Sequence, residues 1–188
     1  MSITLIAGLG NPGPRYTATR HNAGFWFLDQ IAEQAHEQFR REAKFFGEVC
    51  RIDSKYWLLK PDTFMNHSGQ AVAALANYYK IPVEQILVVH DELDFPPGVA
   101  RLKKAGSDGR HNGLKNIISY LGSNNFLRLR LGIGHPGRSS EVINYVLNSP
   151  SRDEQVAIEN AMDAALAVMP LILGEELNKA MQQLHSQT

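Results

Sequence analysis

Four consecutive apolar residues, Ile86-Leu87-Val88-Val89, follow Gln85. A strand sends successive side chains to opposite faces, so a strand over Gln85 to Val89 with four unbroken apolar residues must be covered on both. That requirement points to architectures in which helices sandwich a sheet. The flanking pattern agrees. Ile3 to Leu9 is another β-rich run, and it stops at the turn signal Gly8-Leu9-Gly10-Asn11-Pro12-Gly13. Phe45 to Ile52 and Tyr56 to Leu59 read as strands joined by Asp53-Ser54, with Pro61-Asp62 ending the pattern. Val99 to Lys103 is a further short strand. Phe126 to Ile133 alternates Leu127, Leu129 and Leu131 with Arg128 and Arg130, which predicts one buried face and one presented face. Helical spacing appears over Asn22 to Arg41, Ser68 to Tyr79, Leu114 to Leu121, Ser151 to Met169 and Glu175 to His185. Ser151 and Glu154 have capping-box spacing. The expectation is an α/β fold: a single three-layer α/β/α domain over residues 1–188, with a central mixed, twisted sheet and C-terminal helices.

A length of 188 residues suffices for one well-buried core. One cysteine, Cys50, excludes an internal disulfide and fits a reducing compartment. The N-terminus has no basic region ahead of its short apolar run, so no signal peptide is expected. The apolar stretch Ala164 to Leu173 is interrupted by Pro170 and is too short to span a bilayer. The expected location is cytoplasmic.

Net charge is zero, yet it is unevenly distributed. Residues 101–140 carry eight Lys or Arg and one acid; residues 141–188 carry two basic and seven acidic residues. Such a segment attracts phosphate locally, and it is equally compatible with a solvated surface compensated by the acidic tail.

Gly8-Leu9-Gly10-Asn11-Pro12-Gly13 has the spacing of a dinucleotide-binding turn. Pro12 and Pro14 argue against that use, because they stand where a phosphate-binding helix would offer N–H groups. The turn instead fixes Asn11 at the carboxyl edge of the sheet, where ligands of open α/β folds gather. Thr19-Arg20-His21-Asn22, Phe64-Met65-Asn66-His67, His90-Asp91-Glu92 and Gly109-Arg110-His111-Asn112 also sit at strand or turn ends. Cys50 has no adjacent base, no nucleophile elbow occurs, and no paired metal-ligand spacing occurs. A His–Asp pair activating water, with neutral Asn donors for a developing oxyanion, is the remaining chemistry.

Taken together, these segments resemble bacterial peptidyl-tRNA hydrolase. The resemblance rests on Gly8 to Gly13, Tyr16, Thr19 to Asn22, Lys60 to Asn66, His90 to Asp94, Gly98, His111 to Lys115 and Arg128 to Pro136, in family order. It implies cleavage of the ester between a peptide and the 3′ ribose of tRNA. It further implies His21 as general base, Asp91 as its orienting acid, and Asn11 as a group that tells blocked peptidyl-tRNA from aminoacyl-tRNA. Tyr16, Phe64, Met65, Asn66, His111 and Asn112 would line the site, and Asn66 or Asn112 would stabilise the oxyanion. Arg101, Lys103, Lys104, Arg110, Arg128 and Arg130 would meet tRNA phosphates. The implied partner is peptidyl-tRNA, with no cofactor, no metal and no membrane, acting as a monomer. The chain departs from the family before His111, where Gly109-Arg110 stands in place of a usual glycine pair. That leaves open a phosphate contact or a solvent-facing side chain. Two rivals stay open: an RNA-binding protein on the same fold without turnover, and a metal-dependent hydrolase.

Overall fold

The computed structural model describes residues 2–188. Seven strands form one sheet: β1 (Leu5–Gly8), β2 (Arg40–Glu42), β3 (Gly47–Ile52), β4 (Tyr56–Pro61), β5 (Ile86–Glu92), β6 (Ala100–Lys104) and β7 (Leu127–Gly132). Their order is β2-β3-β4-β1-β5-β7-β6. The four inner strands β4, β1, β5 and β7 are parallel, while β2, β3 and β6 pair antiparallel at the edges. The sheet is mixed, as expected.

Among the described residues six α-helices accompany it: α1 (Ala23–Gln34), α2 (Ser68–Tyr78), α3 (Asn112–Leu121), α4 (Val142–Val146), α5 (Arg152–Leu173) and α6 (Leu177–Gln187). The two-faced requirement of β5 is met. Leu87 and Val89 join a core with α1, α5 and α6. Ile86 and Val88 join a second core with α2 and α3. All four are fully buried, each contributing about 1.5–3 kcal/mol of hydrophobic stabilisation.

Several boundaries differ from the sequence expectation. The helix expected to reach Arg41 stops at Gln34. His36 adopts φ 55°, its N–H donates to the Glu33 carbonyl, and the Glu37 N–H donates to the Ala32 carbonyl. This is a Schellman end with His where Gly usually marks the stop. Phe39 still packs against the core, so apolar periodicity outlasts the helix. The chain beyond forms β2, which the pattern did not show. The β3–β4 turn has Asp53 and Ser54 both at positive φ (50° and 56°), the geometry a tight hairpin needs.

Strand β7 corrects a second expectation. Its leucines face one core as predicted, but the opposite face is not presented. Arg128 is only 1% exposed. Its guanidinium lies 4.4 Å over the Phe126 ring and donates to the Gly106 carbonyl at 2.7 Å, beneath the loop that follows β6. Arg128 is therefore an internal brace for that loop and not a surface cation.

Helix α5 also runs past Pro170 to Leu173. Pro170 is exposed, so the carbonyl it leaves without a donor lies on the solvent side. By length and composition α5 is the one helix among the described residues that could cross a bilayer. Here Ile158, Met162, Val168 and Ile172 are buried in the core while Glu159 and Asp163 are exposed, the two-sidedness of a helix lying on a sheet.

Candidate active site

The carboxyl ends of β1, β4 and β5 converge because β1 lies between the other two. The chain leaves β1 into the Gly10–Gly13 turn and returns through a short 3-10 turn, Arg20–Asn22, that carries His21 into α1. Asn22 clamps this return. Its Oδ1 accepts the Asn11 N–H at 2.9 Å, and its Nδ2 donates to the Asn11 carbonyl at 3.0 Å. Asn11 Oδ1 in turn accepts the Met65 N–H at 2.7 Å. A backbone donor can meet only the amide oxygen, so the Asn11 NH2 is the donor left for a ligand.

Asp91, near the end of β5, is buried. His21 Nδ1 lies 2.8 Å from its Oδ2, and His111 Nε2 lies 2.8 Å from its Oδ1. A carboxylate only accepts, so both imidazoles donate to it. His111 is also the N-cap of α3: its Nδ1 accepts the Gly113 and Leu114 N–H groups. That fixes His111 as the neutral Nε2–H tautomer. His21 carries its proton on Nδ1 and keeps Nε2 as a free base.

The electrostatics follow from this arrangement. Burial by itself pushes the Asp91 carboxyl up, but His21 and His111 outweigh it and hold the group well below the carboxylate range. For His21, burial works against the charged form. The attraction and hydrogen bond of Asp91 win, raising it above the ordinary 6.5. The free Nε2 therefore takes up a proton as pH falls through a value above 6.5.

His90 is different. Burial, reinforced by nearby His111, pushes it down to about 3. Its Nδ1 lies 2.8 Å from the Asp91 carbonyl, which makes it a donor, and its Nε2 is buried without a partner. The unfolded chain takes up a proton near 6.5 that folded His90 refuses until about 3. His90 therefore costs no stability above 6.5 and costs progressively more as pH falls from 6.5 towards 3. Urea denaturation at pH 7 and pH 5 should show this loss, and His90→Asn, whose amide nitrogen overlays Nδ1, should reduce it. An equal loss in the variant would remove His90 as the cause.

The cleft above the pair has a volume of about 430 Å³. It gathers Asn11, His21, Phe64, Met65, Asn66, Asp91, His111 and Asn112, all predicted for the site. Tyr16 stands behind the lining, edge-to-face with Phe64 at 6.1 Å. The predicted RNA contacts divide. Lys103 is exposed on β6. Arg101 donates to the Ala100 carbonyl and to Thr188 Oγ1 at 2.8 Å, so its guanidinium is engaged with the last residue. Arg130 is half-buried, 4.8 Å over the Phe95 ring and 3.9 Å from Glu92.

The sequence reading missed two features. The first is α4, whose Val142, Ile143 and Val146, with Leu147, form an apolar wall opposite the polar groups. The spacing of these residues was the available signal. The second is Arg20, whose guanidinium stacks 3.8 Å from the Tyr145 ring, donates to the Tyr145 carbonyl and pairs with Glu154 at 3.2 Å. It ties the His21 turn to α4 and to the start of α5.

His21, Asp91 and His111 each offer a ligand atom, all within 4.8 Å of one another. Their 2.8 Å contacts are hydrogen-bond lengths, and the second nitrogen of His111 is committed to capping α3. A cation taking all three would have to displace both shared protons.

The family model for peptidyl-tRNA hydrolase matches residues 5–188. The chain is 59% identical over 188 residues to a peptidyl-tRNA hydrolase of Methylobacillus flagellatus, covering 99% of this chain and 98% of that one. It is 53% identical over 184 residues to the Coxiella burnetii protein of the same name, covering 98% of each. A crystal structure of peptidyl-tRNA hydrolase from Acinetobacter baumannii superposes with a TM-score of 0.96 at 43% identity, covering 99% of this chain and 96% of that one. With these relatives matched along nearly their whole length, and with the sheet and helices coinciding, the chain belongs to the peptidyl-tRNA hydrolase family.

Proposed function

We propose that this protein carries out peptidyl-tRNA hydrolysis, its family's activity, through His21 acting as a general base without metal. The observation that carries this reading is the 2.8 Å contact of His21 Nδ1 with the Asp91 carboxylate, which places the ring proton on Nδ1 and leaves Nε2 as the base. Nε2 takes a proton from water as the water oxygen attacks the ester carbonyl. The carbonyl becomes an oxyanion, and the Asn66 or Asn112 amide donates to it. Collapse breaks the bond to the ribose 3′ oxygen, which receives the proton from the imidazolium. Free tRNA and a peptide carboxylate leave. An ester is activated enough for one base and neutral donors, and positioned acid–base catalysis supplies about 10²–10⁴-fold.

The Asn11 NH2 suits selection of blocked substrates. It donates to a peptide carbonyl, whereas the free ammonium of aminoacyl-tRNA offers no acceptor. Lys103 and Arg130 meet tRNA phosphates; Arg101 does so if its bonds to the chain end yield. The protein works as a cytoplasmic monomer.

Incubation with N-acetyl-aminoacyl-tRNA, with and without a strong chelator, tests the reading. Ester cleavage is expected in both arms. Loss restored by added divalent metal would make it a metalloenzyme, and tRNA binding without cleavage would make it a binding protein. Light scattering of the sample reads the oligomeric state.

A further inference from the structure

We propose that Arg110 is a phosphate contact for the single-stranded 3′ end of the RNA substrate, a role that rests on the hydrolase reading above. Gly109 and Arg110 are consecutive left-handed residues, at φ 55° and 64°. Glycine adopts that conformation freely, whereas an arginine there is strained. The strained turn is built and not loose. Asp108 Oδ1 accepts the Arg110 N–H at 2.8 Å, and the Asp108 carbonyl accepts the His111 N–H at 2.8 Å. Upstream, buried Arg128 holds the Gly106 carbonyl. Both ends of the loop are thus pinned, and the turn delivers Arg110 to the rim of the catalytic cleft.

The guanidinium has no carboxylate partner there. The cleft's two acids are engaged elsewhere: Asp91 with His21 and His111, and Glu92 beside Arg130. An exposed bidentate donor without an ion-pair partner therefore stands next to His111, the Asp108 carboxylate being engaged with the Arg110 backbone N–H. The scissile ester lies on the terminal ribose, so the nearest phosphodiester is one sugar away, a span that a long side chain lining the cleft can meet. Guanidinium geometry matches two phosphate oxygens.

Two variants separate charge from backbone. Arg110→Gln keeps a polar side chain and the backbone strain but removes the charge; Arg110→Gly removes the charge and the strain. The measurement is the affinity for deacylated tRNA as a function of salt, which reads the contact whether or not turnover occurs. Both variants are expected to bind about three- to tenfold more weakly at low salt, with the log–log salt slope flatter by about 0.7, the value for one single-strand phosphate. KM for N-acetyl-aminoacyl-tRNA should rise by the same factor. Parental affinity and slope in Arg110→Gln would overturn the proposal, and so would weakening confined to Arg110→Gly, which would assign the effect to loop flexibility. Absence of turnover by the parent protein would instead sink the hydrolase reading and leave the binding slopes to decide the contact.

Discussion

Asp91→Asn is expected to lower turnover of peptidyl-tRNA by about 10⁴-fold, the size seen when the acid orienting a histidine base becomes an amide, with tRNA affinity near that of the parent. The asymmetry of the site explains why so small a change acts so strongly. Asn has one acceptor where Asp has two. His111 cannot change tautomer, because its Nδ1 is occupied by the Gly113 and Leu114 N–H groups. It keeps its Nε2 proton and claims the amide oxygen. The amide NH2 then faces His21 Nδ1, which must become an acceptor, and the proton moves to Nε2. The catalytic nitrogen loses its lone pair without any heavy atom moving. Single-turnover kinetics measure the loss, and nitrogen NMR of the His21 ring reads the tautomer directly. A reduction under tenfold, or an unchanged His21 tautomer, would show that Asp91 does not orient the base. His21→Ala should be similarly inactive, since members of such a unit are not additive.

The second large effect concerns packing. Gly24 lies in the first turn of α1, where that helix presses on the ends of β1 and β5. A Cβ added there would stand 2.4 Å from the Val89 carbonyl oxygen and 2.5 Å from the Leu9 nitrogen, both backbone atoms. Helix propensity favours Gly24→Ala by about 1 kcal/mol, but backbone cannot yield as a side-chain tip can, so overpacking decides the sign. We expect a net destabilisation of about 3 kcal/mol, or roughly 6–12 °C in Tm for a chain of this size. His21 lies three residues earlier, so a displaced α1 also pulls the base from Asp91. Misplacement of this order costs about 10²-fold in rate. Calorimetry and turnover measured on the same sample test both parts; a raised Tm would mean that helix propensity wins and that the close approach is not tight.

Much of the architecture was legible because its signals are local. The apolar run of β5 demanded two covered faces, the period of α2 and α3 showed in their spacing, and Ser151 with Glu154 formed the predicted capping box on α5. The site segments were also visible, as four loop motifs carrying His, Asn or Asp. The misreadings arose where a local signal was absent. His36 ends α1 without the usual glycine, and α4 spans only five residues. Arg128 alternates with leucines as a surface residue would, and only the loop folded over it makes it internal.

By itself, then, the sequence determined the layered α/β fold, the helices and strands long enough to show their period, and the residue types available for base catalysis. Which of these residues meet was decided only in three dimensions. His21 and Asp91 are 70 positions apart, and His111 another 20 beyond. They come together because parallel pairing places β1 beside β5 and because α3 begins where its capping imidazole can reach the Asp91 carboxylate. Hydrogen bonds of this kind depend on strand order and on distances of a few ångströms, and neither is written in the spacing of residues along the chain.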